Sequence, residues 1–431
     1  MAAGASRRVS AAAGPVRGVV RVPGSKSLTQ RALVAAALAE GTSRLFGPLD
    51  SEDTRLLREA LGALGVGFDT GTEAWRVRGR GCRVAAPAGE LYLGNNGTGI
   101  RFLASVAALA PAAVRLTGTP RMAQRPIGPL LEALRGWGVR AESLHGTGCP
   151  PVEVHGGGIE GGETRLDASK SSQFLSSLLL AAPCARRPAE IVLSGPLVSR
   201  PYVDLTTAVM AAFGVRVEVS EDRRFRVPRR AYRPADYAVE GDASSASYFW
   251  AAAAVTGGRV TVANVPAEAL QGDAAFADLL GRMGCRVEKS AEGVTVEGPP
   301  EGELRGIEVD MGRWPDVVPT LAVVAAFARG ETVVTGVAHL RIKESDRIRS
   351  VVTELVRLGV SAEERPDGLV VRGGGRLRPA EVATYDDHRM AMSFAVAGLR
   401  VPGLRIRDPG CVAKSFPGFW EVFEGLVGAG A

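Results

Sequence analysis

The chain has 431 residues, a formal net charge of +6 and 46% hydrophobic residues. This length exceeds the size at which a single hydrophobic core stops growing, so we expect two domains. The positive charge is spread along the sequence without a basic run interleaved with aromatic residues, which favours small acidic ligands over nucleic acid. The five cysteines are scattered and odd in number, which favours a reducing compartment over a disulfide scaffold.

Three further classes of protein are disfavoured. The four histidines lie outside metal-ligand spacing of one another and of a cysteine pair, which argues against a zinc site. No uncharged apolar run reaches the length of a membrane span, and the N-terminal segment lacks the apolar core of a secretory signal. We therefore predict a cytoplasmic, monomeric enzyme without a metal ion or a nucleic-acid partner.

One design recurs six times along the chain: a polar or charged cluster opens a helix of small and apolar residues. These helices begin near Ser27, Asn96, Ser172, Ser244, Asp316 and Asp387. The even spacing predicts six related repeats. A helix that is apolar on nearly all sides must be buried, and its N-terminus, with the positive end of the dipole, is suited to binding anions.

A second series of helices alternates with the first. Each ends in a bulky apolar residue followed by glycine, and the first five of these glycines are Gly65, Gly138, Gly214, Gly284 and Gly359. Glycine just beyond a helix is the usual left-handed terminator, and short β-branched strands follow. Each repeat thus reads strand, buried helix, strand, amphipathic helix, strand. We predict an α/β (α+β) fold with three repeats in each of two domains.

Several motifs in the first half of the chain could bind anions at helix starts. They are Pro23-Gly24-Ser25-Lys26-Ser27 with Arg31, Gly94-Asn95-Asn96-Gly97-Thr98-Gly99, Arg125-Pro126, Ser169-Lys170-Ser171-Ser172-Gln173 and Arg200-Pro201-Tyr202. Glycines allow backbone N–H groups to approach an anion closely. Each motif also has a purely structural explanation: a turn, a solvated Lys26, an Arg101 that is only a surface charge, or serines that only cap a helix.

The second half of the chain adds candidate acids and bases. Asp316 follows a proline at the fifth buried helix, where the dipole alone would also favour a carboxylate. If Arg341-Ile-Lys-Glu-Ser-Asp-Arg347 is helical, Lys343 and Arg347 share a face at i and i+4, with Glu344 one step away. A salt-bridged exposed face is the alternative. Asp386-Asp387-His388-Arg389 opens the last buried helix, and Lys414 opens the last amphipathic one; a capped, satisfied histidine explains His388 better than a catalytic dyad.

Taken in order, these motifs resemble those of the 5-enolpyruvylshikimate-3-phosphate synthase family, from about Gly14 to Phe423. They read PGSKS, LGNNGTGIR, RPI, SSQFLSSLL, SRPY, GDASSASYF, RIKESDR, DDHRMAM and DPGCVAKSFP. The resemblance implies two domains, each an inverted α/β barrel of three βαβαββ units. We place the first domain at residues 20–241 and the second at residues 1–19 plus 242–431, with the active site in the cleft between them.

The resemblance also implies a reaction: transfer of the carboxyvinyl group of phosphoenolpyruvate to the 5-hydroxyl of shikimate 3-phosphate, with release of phosphate, on the pathway to chorismate and the aromatic amino acids. No metal or organic cofactor is needed. Asp316 would remove the hydroxyl proton, Glu344 would protonate the methylene carbon, and Lys26 would assist proton transfer.

The resemblance assigns the substrate contacts as well. Phosphoenolpyruvate would be held by Lys26, Gly97, Arg125, Gln173, Arg347, Arg389 and Lys414. Shikimate 3-phosphate would contact Lys26, Ser27, Arg31, Ser171, Ser172, Gln173, Ser199, Asp316, His339 and Lys343. Phe102 and His339 stand where many family members have proline and asparagine. Because Gly97 has no Cβ, it would leave room for the inhibitor glyphosate, so Gly97→Ala would weaken glyphosate more than phosphoenolpyruvate.

Two alternatives remain at this point. The related enolpyruvyl transferase that acts on UDP-N-acetylglucosamine typically carries a reactive cysteine in the loop before its Arg-Pro, whereas residues 118–126 contain none. A non-catalytic basic repeat protein is the second alternative. A phosphate-release assay separates both from the main hypothesis.

Overall fold

The computed structural model describes residues 5–300 and 303–428. They form two compact units. The middle unit is Gly24–Val239, and the terminal unit comprises residues 5–23, 240–300 and 303–428. The chain thus passes from one unit to the other after Pro23 and after Val239. Within the described residues, no helix combines the length and the apolar character that a bilayer span requires.

Helices of two kinds alternate along the chain, as the sequence predicts. In chain order they are α1 (Lys26–Leu38), α2 (Glu52–Ala63), α3 (Gly97–Ala107), α4 (Gly128–Gly136), α5 (Ser172–Ala181), α6 (Pro201–Ala212), α7 (Ala243–Thr256), α8 (Phe276–Arg282), α9 (Val318–Ala326), α10 (Arg347–Arg357), α11 (His388–Gly398) and α12 (Phe419–Gly428). Short 3-10 helices lie at Met122–Gln124, Ala182–Cys184, Gly272–Ala275, Pro315–Val317, Ala338–Ile342 and Pro409–Lys414. The odd-numbered helices are the buried ones, and every residue of α7 is buried.

The strands are short and connect these helices. They are β1 (Ser6–Arg8), β2 (Arg17–Val20), β3 (Glu40–Phe46), β4 (Gly67–Thr70), β5 (Ala74–Arg80), β6 (Leu91–Tyr92), β7 (Val114–Thr117), β8 (Ala141–Ser143), β9 (Val152–Val154), β10 (Gly162–Leu166), β11 (Ala189–Leu193), β12 (Glu218–Ser220), β13 (Arg224–Val227), β14 (Asp236–Ala238), β15 (Arg259–Val262), β16 (Arg286–Lys289), β17 (Val294–Glu297), β18 (Glu308–Asp310), β19 (Gly330–Thr335), β20 (Ser361–Arg365), β21 (Gly368–Gly373), β22 (Glu381–Val382) and β23 (Arg405–Arg407).

The described strands form six small sheets, three in each unit. The middle unit has the orders β14-β3-β5-β4, β6-β7-β9-β8 and β10-β11-β13-β12, and the terminal unit has β2-β15-β17-β16, β18-β19-β21-β20 and β1-β23-β22. Each four-stranded sheet has the same plan, in which one parallel pair joins two antiparallel pairs. The predicted α/β class and the sixfold repetition are confirmed.

In the first repeat of each unit, one strand of the sheet comes from a distant part of the chain. In the middle unit β14 pairs in parallel with β3. In the terminal unit β2 pairs in parallel with β15, with Arg17 opposite Arg259. The strand near the N-terminus therefore belongs with the last half of the chain.

Each unit has its own hydrophobic core, built around three central helices. Small hydroxyl side chains link these helices where they approach closely. In the terminal unit, Thr320 Oγ1 of α9 lies 3.2 Å from the hydroxyls of both Ser247 of α7 and Ser393 of α11. In the middle unit, Ser105 of α3 and Ser177 of α5 are 2.6 Å apart. Burying a hydroxyl is unfavourable unless it is hydrogen-bonded, so these links hold equivalent helices in register.

The cysteine interpretation needs one correction. Cys82, after β5, and Cys184, after α5, form a disulfide within the middle unit, with their Cα atoms 5.3 Å apart. The two residues are 102 positions apart and belong to different repeats, so their spacing carries no local signal of pairing. Cys149, Cys285 and Cys411 are free thiols.

Candidate active site

The site residues of the middle unit begin at the start of α1. Ser25 caps this helix by accepting a hydrogen bond from the backbone N–H of Leu28. Lys26 is the first helical residue, and its Nζ lies 3.0 Å from Oδ2 of Asp53. Asp53 is buried in the first turn of α2. Sequence reasoning missed Asp53, although the Ser51-Glu52-Asp53-Thr54 start of an amphipathic helix is the signal that points to it.

Arg31 lies one turn into α1 and is almost completely buried, with 1% of its surface exposed. Its guanidinium donates to Thr206 Oγ1 (2.8 Å), to the carbonyl oxygen of Ser27 (2.9 Å), to the carbonyl oxygen of Tyr202 (3.0 Å) and to Ser176 Oγ. All of these partners are neutral. Burial lowers the pKa of Arg31 to about 10, so the residue remains charged at neutral pH.

The contact between Phe102 and Arg31 explains why an aromatic residue occupies position 102. Its buried ring lies beneath the Arg31 guanidinium, with 5.2 Å between the guanidinium carbon and the ring centroid. A cation over an aromatic face is attracted by the ring quadrupole, the more so where water is excluded. The aromatic side chain at this position therefore supports a buried cation that has no carboxylate partner.

The glycine-rich loop holds Arg125 against the start of α3. Asn96 caps the helix by accepting from the Gly99 N–H (2.8 Å), and Nη1 of Arg125 donates to both the backbone oxygen (2.8 Å) and Oδ1 (3.0 Å) of Asn95. A Cβ on Gly97 would lie 2.4 Å from Nη2 of Arg125. A larger residue at position 97 would therefore clash with the Arg125 guanidinium.

Arg101 is a second residue that sequence reasoning missed. It is buried on α3 and donates to Oε1 of Gln173 and to the carbonyl oxygen of Pro126. Nε2 of Gln173 donates to Thr98 Oγ1 at 3.0 Å. Arg101 thus fixes the Gln173 amide at the start of α5. The signal is its place one turn after a helix start, which is the position of Arg31 in α1.

The candidate serines of the middle unit lie at helix starts. Ser171 caps α5 by accepting from the Gln173 N–H (3.2 Å), and Ser172 is the first residue of that helix. Ser199 is buried in a left-handed conformation just before α6, with φ of 52°. Together with Lys26, Ser27, Arg31, Gly97, Arg101, Arg125 and Gln173, these residues form what we call the Arg31 cluster.

In the terminal unit, Arg347 is the centre of a network of ion pairs. It is 1% exposed and contacts three carboxylates, namely Asp387 (2.8 Å), Glu344 (2.8 Å) and Asp316 (3.0 Å). Burial opposes its charge, but the three carboxylates outweigh burial and raise the pKa of Arg347. We call Asp316, Glu344, Arg347, Asp387 and Arg389 the Asp316 cluster.

Asp316 is held between two arginines. Its Oδ1 accepts from Arg347, and its Oδ2 accepts from Nη2 of Arg389 at 2.6 Å. Burial alone would raise the pKa of Asp316, but the positive charges of Arg389, Arg347 and Lys343 hold it well below its usual range. The carboxyl is therefore ionised over the whole neutral range.

Asp273 is a buried carboxyl that the sequence did not reveal. It accepts a hydrogen bond from Ser244 Oγ, which is itself 3.4 Å from Nη2 of Arg389. Burial, followed by repulsion from Asp316, raises the pKa of Asp273 to about 6. Asp273 therefore supports the Arg389 side of the Asp316 cluster through a serine.

The prediction that Lys343 and Arg347 share one face of a helix is wrong. The chain forms a 3-10 turn at Ala338–Ile342, Lys343 is extended, and α10 begins only at Arg347. Asp346 sets this start, because its side chain accepts from the N–H of Arg349 and caps the helix. Glu344 instead reaches Arg347 from outside the helix.

The remaining candidates of the terminal unit are His339, Lys343 and Lys414. His339 is buried, and burial followed by the charge of Lys343 lowers its pKa to about 3, so the imidazole is neutral at pH 7. Lys414 ends the 3-10 helix Pro409–Lys414 and is buried. His388 is fully buried at the first position of α11, which Asp387 caps.

Among the described residues, one group could offer ligand atoms to a metal ion: Glu142, Glu153 and His155 on the β8-β9 pair. Glu142 already pairs with Arg140 (3.1 Å), and Glu153 pairs with Arg115 (2.7 Å). Since both carboxylates are neutralised by arginines, this group forms part of a surface ion-pair network.

The chain was compared with known proteins. The family model for EPSP synthase (3-phosphoshikimate 1-carboxyvinyltransferase) matches residues 11–423. The 3-phosphoshikimate 1-carboxyvinyltransferase of Methanosphaerula palustris is 48% identical over 95% of this chain and 96% of its own, and that of Syntrophobacter fumaroxidans is 44% identical over 96% and 98%. The solved structure of EPSP synthase from Acinetobacter baumannii superimposes with a TM-score of 0.80 at 28% identity and covers 98% of both chains. These matches confirm the resemblance read from the motifs: the chain belongs to the EPSP synthase family.

Proposed function

We propose that the chain transfers the carboxyvinyl group of phosphoenolpyruvate to the 5-hydroxyl of shikimate 3-phosphate and releases phosphate. Family membership supports the reaction. One observation carries the mechanism: a single buried guanidinium, Arg347, holds two partly exposed carboxylates, Asp316 and Glu344. The reaction needs one group that removes a proton from a hydroxyl and another that delivers a proton to the methylene carbon. Two carboxylates fixed by one arginine supply that pair.

Asp316 is the proposed general base. In the absence of substrate, its pKa is held low by Arg389 and Arg347, which makes it a weak base. When the anionic groups of the substrates bind to these arginines, they compensate part of the positive charge, and the pKa of Asp316 rises toward a range useful for catalysis. Substrate binding would therefore activate the base.

Glu344 is the proposed proton donor, and Lys26 assists. Glu344 lies in the extended segment before α10, where its Oε2 is 2.8 Å from Arg347. When Glu344 gives its proton to the methylene carbon, the same arginine would stabilise the carboxylate that forms. That carboxylate would take a proton back from the resulting methyl group as phosphate leaves, which restores the carbon–carbon double bond of the carboxyvinyl product. Lys26, anchored by Asp53, would balance charge as the proton moves.

Each substrate carries a carboxylate and a phosphate, so the site must hold four anionic groups. Like unit charges about 4 Å apart repel by roughly 4 kcal/mol at an effective dielectric near 20. We assign phosphoenolpyruvate to Lys26, Gly97, Arg125, Gln173, Arg347, Arg389 and Lys414. We assign shikimate 3-phosphate to Lys26, Ser27, Arg31, Ser171, Ser172, Gln173, Ser199, Asp316, His339 and Lys343.

The decisive experiment measures phosphate released from phosphoenolpyruvate. We expect release only when shikimate 3-phosphate is present, and no release when UDP-N-acetylglucosamine replaces it. Release that is independent of the acceptor, or that occurs with the nucleotide sugar, would contradict the proposal.

We also propose that the enzyme works as a cytoplasmic monomer that binds no nucleic acid. Sedimentation at working concentrations should give a mass near the 45.0 kDa of one chain. A gel-shift assay at physiological salt should leave DNA and RNA unretarded.

A further inference from the structure

The three central helices of the terminal unit lead from the Asp316 cluster to a cavity. α7 and α11 begin beside Ser244 and Arg389, and α9 begins just after Asp316. Their opposite ends supply Ala254, Val255, Phe327, Arg400 and Val401 to the wall of a cavity of about 890 Å³. This size is within the usual range for small-molecule sites. The helices separate the cavity from the Asp316 cluster, so it is a different place from the proposed active site.

The charge of the cavity wall has one sign. Among the described residues that line it, four are arginines, namely Arg329, Arg376, Arg378 and Arg400, and none is acidic. Arg400 has a structural role, because its Nη1 donates to the carbonyl oxygen of Val255 at the end of α7 (2.9 Å). A cation near a helix C-terminus is also favoured by the dipole.

The other three arginines have no such explanation. The side chains of Arg329, Arg376 and Arg378 make no hydrogen bond or ion pair with any residue in the described parts of the chain, 5–300 and 303–428. Nearby arginines on the same unit do find carboxylates: Arg372 pairs with Glu331 at 2.9 Å, and Arg407 pairs with Glu381 at 2.8 Å. The cavity wall therefore carries three exposed guanidinium groups that no described side chain compensates.

The rest of the wall is apolar. Val255, Leu304, Phe327, Leu377 and Val401 line it, and Phe327 and Leu377 are only partly buried. An apolar wall with several guanidinium groups suits a ligand that has both a ring and a negatively charged group, since guanidinium forks bind phosphate and carboxylate oxygens in pairs. We propose that this cavity binds a small organic anion with an aromatic or heterocyclic body. The proposal goes beyond the proposed function and does not depend on it.

The test uses the full chain and the fluorescent probe 8-anilinonaphthalene-1-sulfonate, which joins fused rings to one sulfonate. We expect the double variant Arg376→Gln, Arg378→Gln to raise the Kd of the probe at least tenfold. The matched control is Arg365→Gln, Arg372→Gln, which removes the same charge from β20 and β21 outside the cavity and should change Kd less than twofold. Equal effects of the two double variants would overturn the proposal, because the probe would then respond to net charge alone.

A second variant tests the cavity without changing its charge. A Cβ on Gly375 would meet no atom within 4 Å, and the backbone there is not left-handed, so Gly375→Phe should be tolerated and should occupy space at the cavity wall. We expect it to weaken probe binding at least fivefold. Gly89→Phe, at an equally open position of the middle unit, should have no effect. Probe binding that survives Gly375→Phe unchanged would place the probe elsewhere and overturn the assignment.

Both cavity variants should retain phosphate release and the circular dichroism of the parent chain, because none of the changed residues belongs to the Arg31 or Asp316 cluster. Displacement of the probe by adenosine monophosphate and by phenylpyruvate then distinguishes a phosphate ligand from a carboxylate ligand. Failure of both anions to displace a cavity-bound probe would contradict the proposed ligand class.

Discussion

Arg31 and Arg347 are equally buried, yet they are compensated in opposite ways. Each is 1% exposed and lies on a helix next to the candidate site of its unit. Arg31 is surrounded by hydroxyl and carbonyl oxygens and by the face of Phe102, whereas Arg347 contacts three carboxylates. Burial lowers the pKa of Arg31 to about 10, but at Arg347 the carboxylates reverse that effect.

The contrast indicates two different tasks. A buried cation with only neutral partners is costly, and an anionic ligand would remove that cost, so the Arg31 cluster is suited to receive substrate. A buried cation with three carboxylates is already compensated without a ligand, so the Asp316 cluster is suited to hold acids and bases in fixed positions, in addition to the substrate contacts proposed for Arg347 and Arg389. The predictions below try to break this division of tasks, beginning with the largest expected effect.

Arg347→Gln should destabilise the protein by about 3–5 kcal/mol, because removing one partner of a buried ion pair leaves the other charge uncompensated. Asp387, which is fully buried, would lose its main cation. Urea unfolding at pH 7 measures the effect. Arg349→Gln, on the same helix but with a 70% exposed side chain, is the control and should cost less than about 1 kcal/mol. Equal costs would mean that the network does not stabilise the unit.

Asp316→Asn should lower kcat by at least about 10²-fold, the effect typical of a lost general base. The change keeps the shape of the side chain but removes the charge that accepts the proton. Steady-state phosphate release measures it. Asp278→Asn makes the same change at an exposed pair with Lys289 and should leave kcat unaltered. Turnover of the Asp316 variant within threefold of the parent chain would return Asp316 to a purely structural role at the start of α9.

Arg31→Gln should show the opposite profile to Arg347→Gln. We expect the Kd for shikimate 3-phosphate to rise about tenfold to a hundredfold, since a hydrogen bond to a charged group contributes roughly 1.5–3 kcal/mol. Stability should change by less than about 1 kcal/mol, because the lost desolvation cost offsets the lost hydrogen bonds. Calorimetric binding and urea unfolding give the two values, with Arg55→Gln at an exposed pair on α2 as the control. A large loss of stability with normal binding would show that Arg31 is structural.

The sequence was sufficient for the features that are written locally. Buried helices, their polar starts and their glycine ends follow from residue patterns within about 20 positions, so the sequence predicted the repeats and the helix starts that carry most candidate site residues. Contacts between repeats were not found, because nothing near Arg101 indicates that it will reach Gln173, 72 positions away. The Cys82–Cys184 disulfide was not predicted for the same reason, because its cysteines are 102 positions apart. The error at Lys343 had a different cause. Asp346 caps α10, so the helix begins after Asp346 and Lys343 lies outside it.

His339→Asn should remove part of the acid sensitivity of the terminal unit. The pKa of His339 is lowered from 6.5 to about 3, so its neutral form contributes stability above pH 6.5 that is lost as pH falls through that value toward 3. Between pH 7 and pH 5 the loss is about 2 kcal/mol. We expect the variant to lose correspondingly less on acidification in urea unfolding. His145→Asn, at an exposed turn, is the control. Parallel pH curves for parent and variant would refute the assignment.

Gly97→Ala tests the smallest structural feature of the Arg31 cluster. The added methyl group would lie 2.4 Å from Nη2 and 2.6 Å from Cζ of Arg125, so the guanidinium must move and strain its hydrogen bonds to Asn95. We expect the affinity for phosphoenolpyruvate to fall about threefold to tenfold, equivalent to a weakened charge-assisted hydrogen bond. Because Arg125 would serve both ligands, glyphosate should lose affinity to a similar extent, in contrast to the selective loss that the sequence suggested.

The matched control is Gly62→Ala in α2, where a Cβ meets no atom within 4 Å. Alanine is the better helix former by roughly 0.5–1 kcal/mol, so this variant should be as stable as the parent chain or more so, with unchanged binding. Competition of glyphosate against phosphoenolpyruvate in the phosphate-release assay gives both affinities for each variant. If Gly97→Ala weakens glyphosate alone, the methyl group acts directly on the inhibitor and Arg125 tolerates it. If the affinities for both ligands fall together, position 97 lacks a side chain because the Arg125 guanidinium packs there. The buried cations of the middle unit then include Arg125 at the glycine-rich loop.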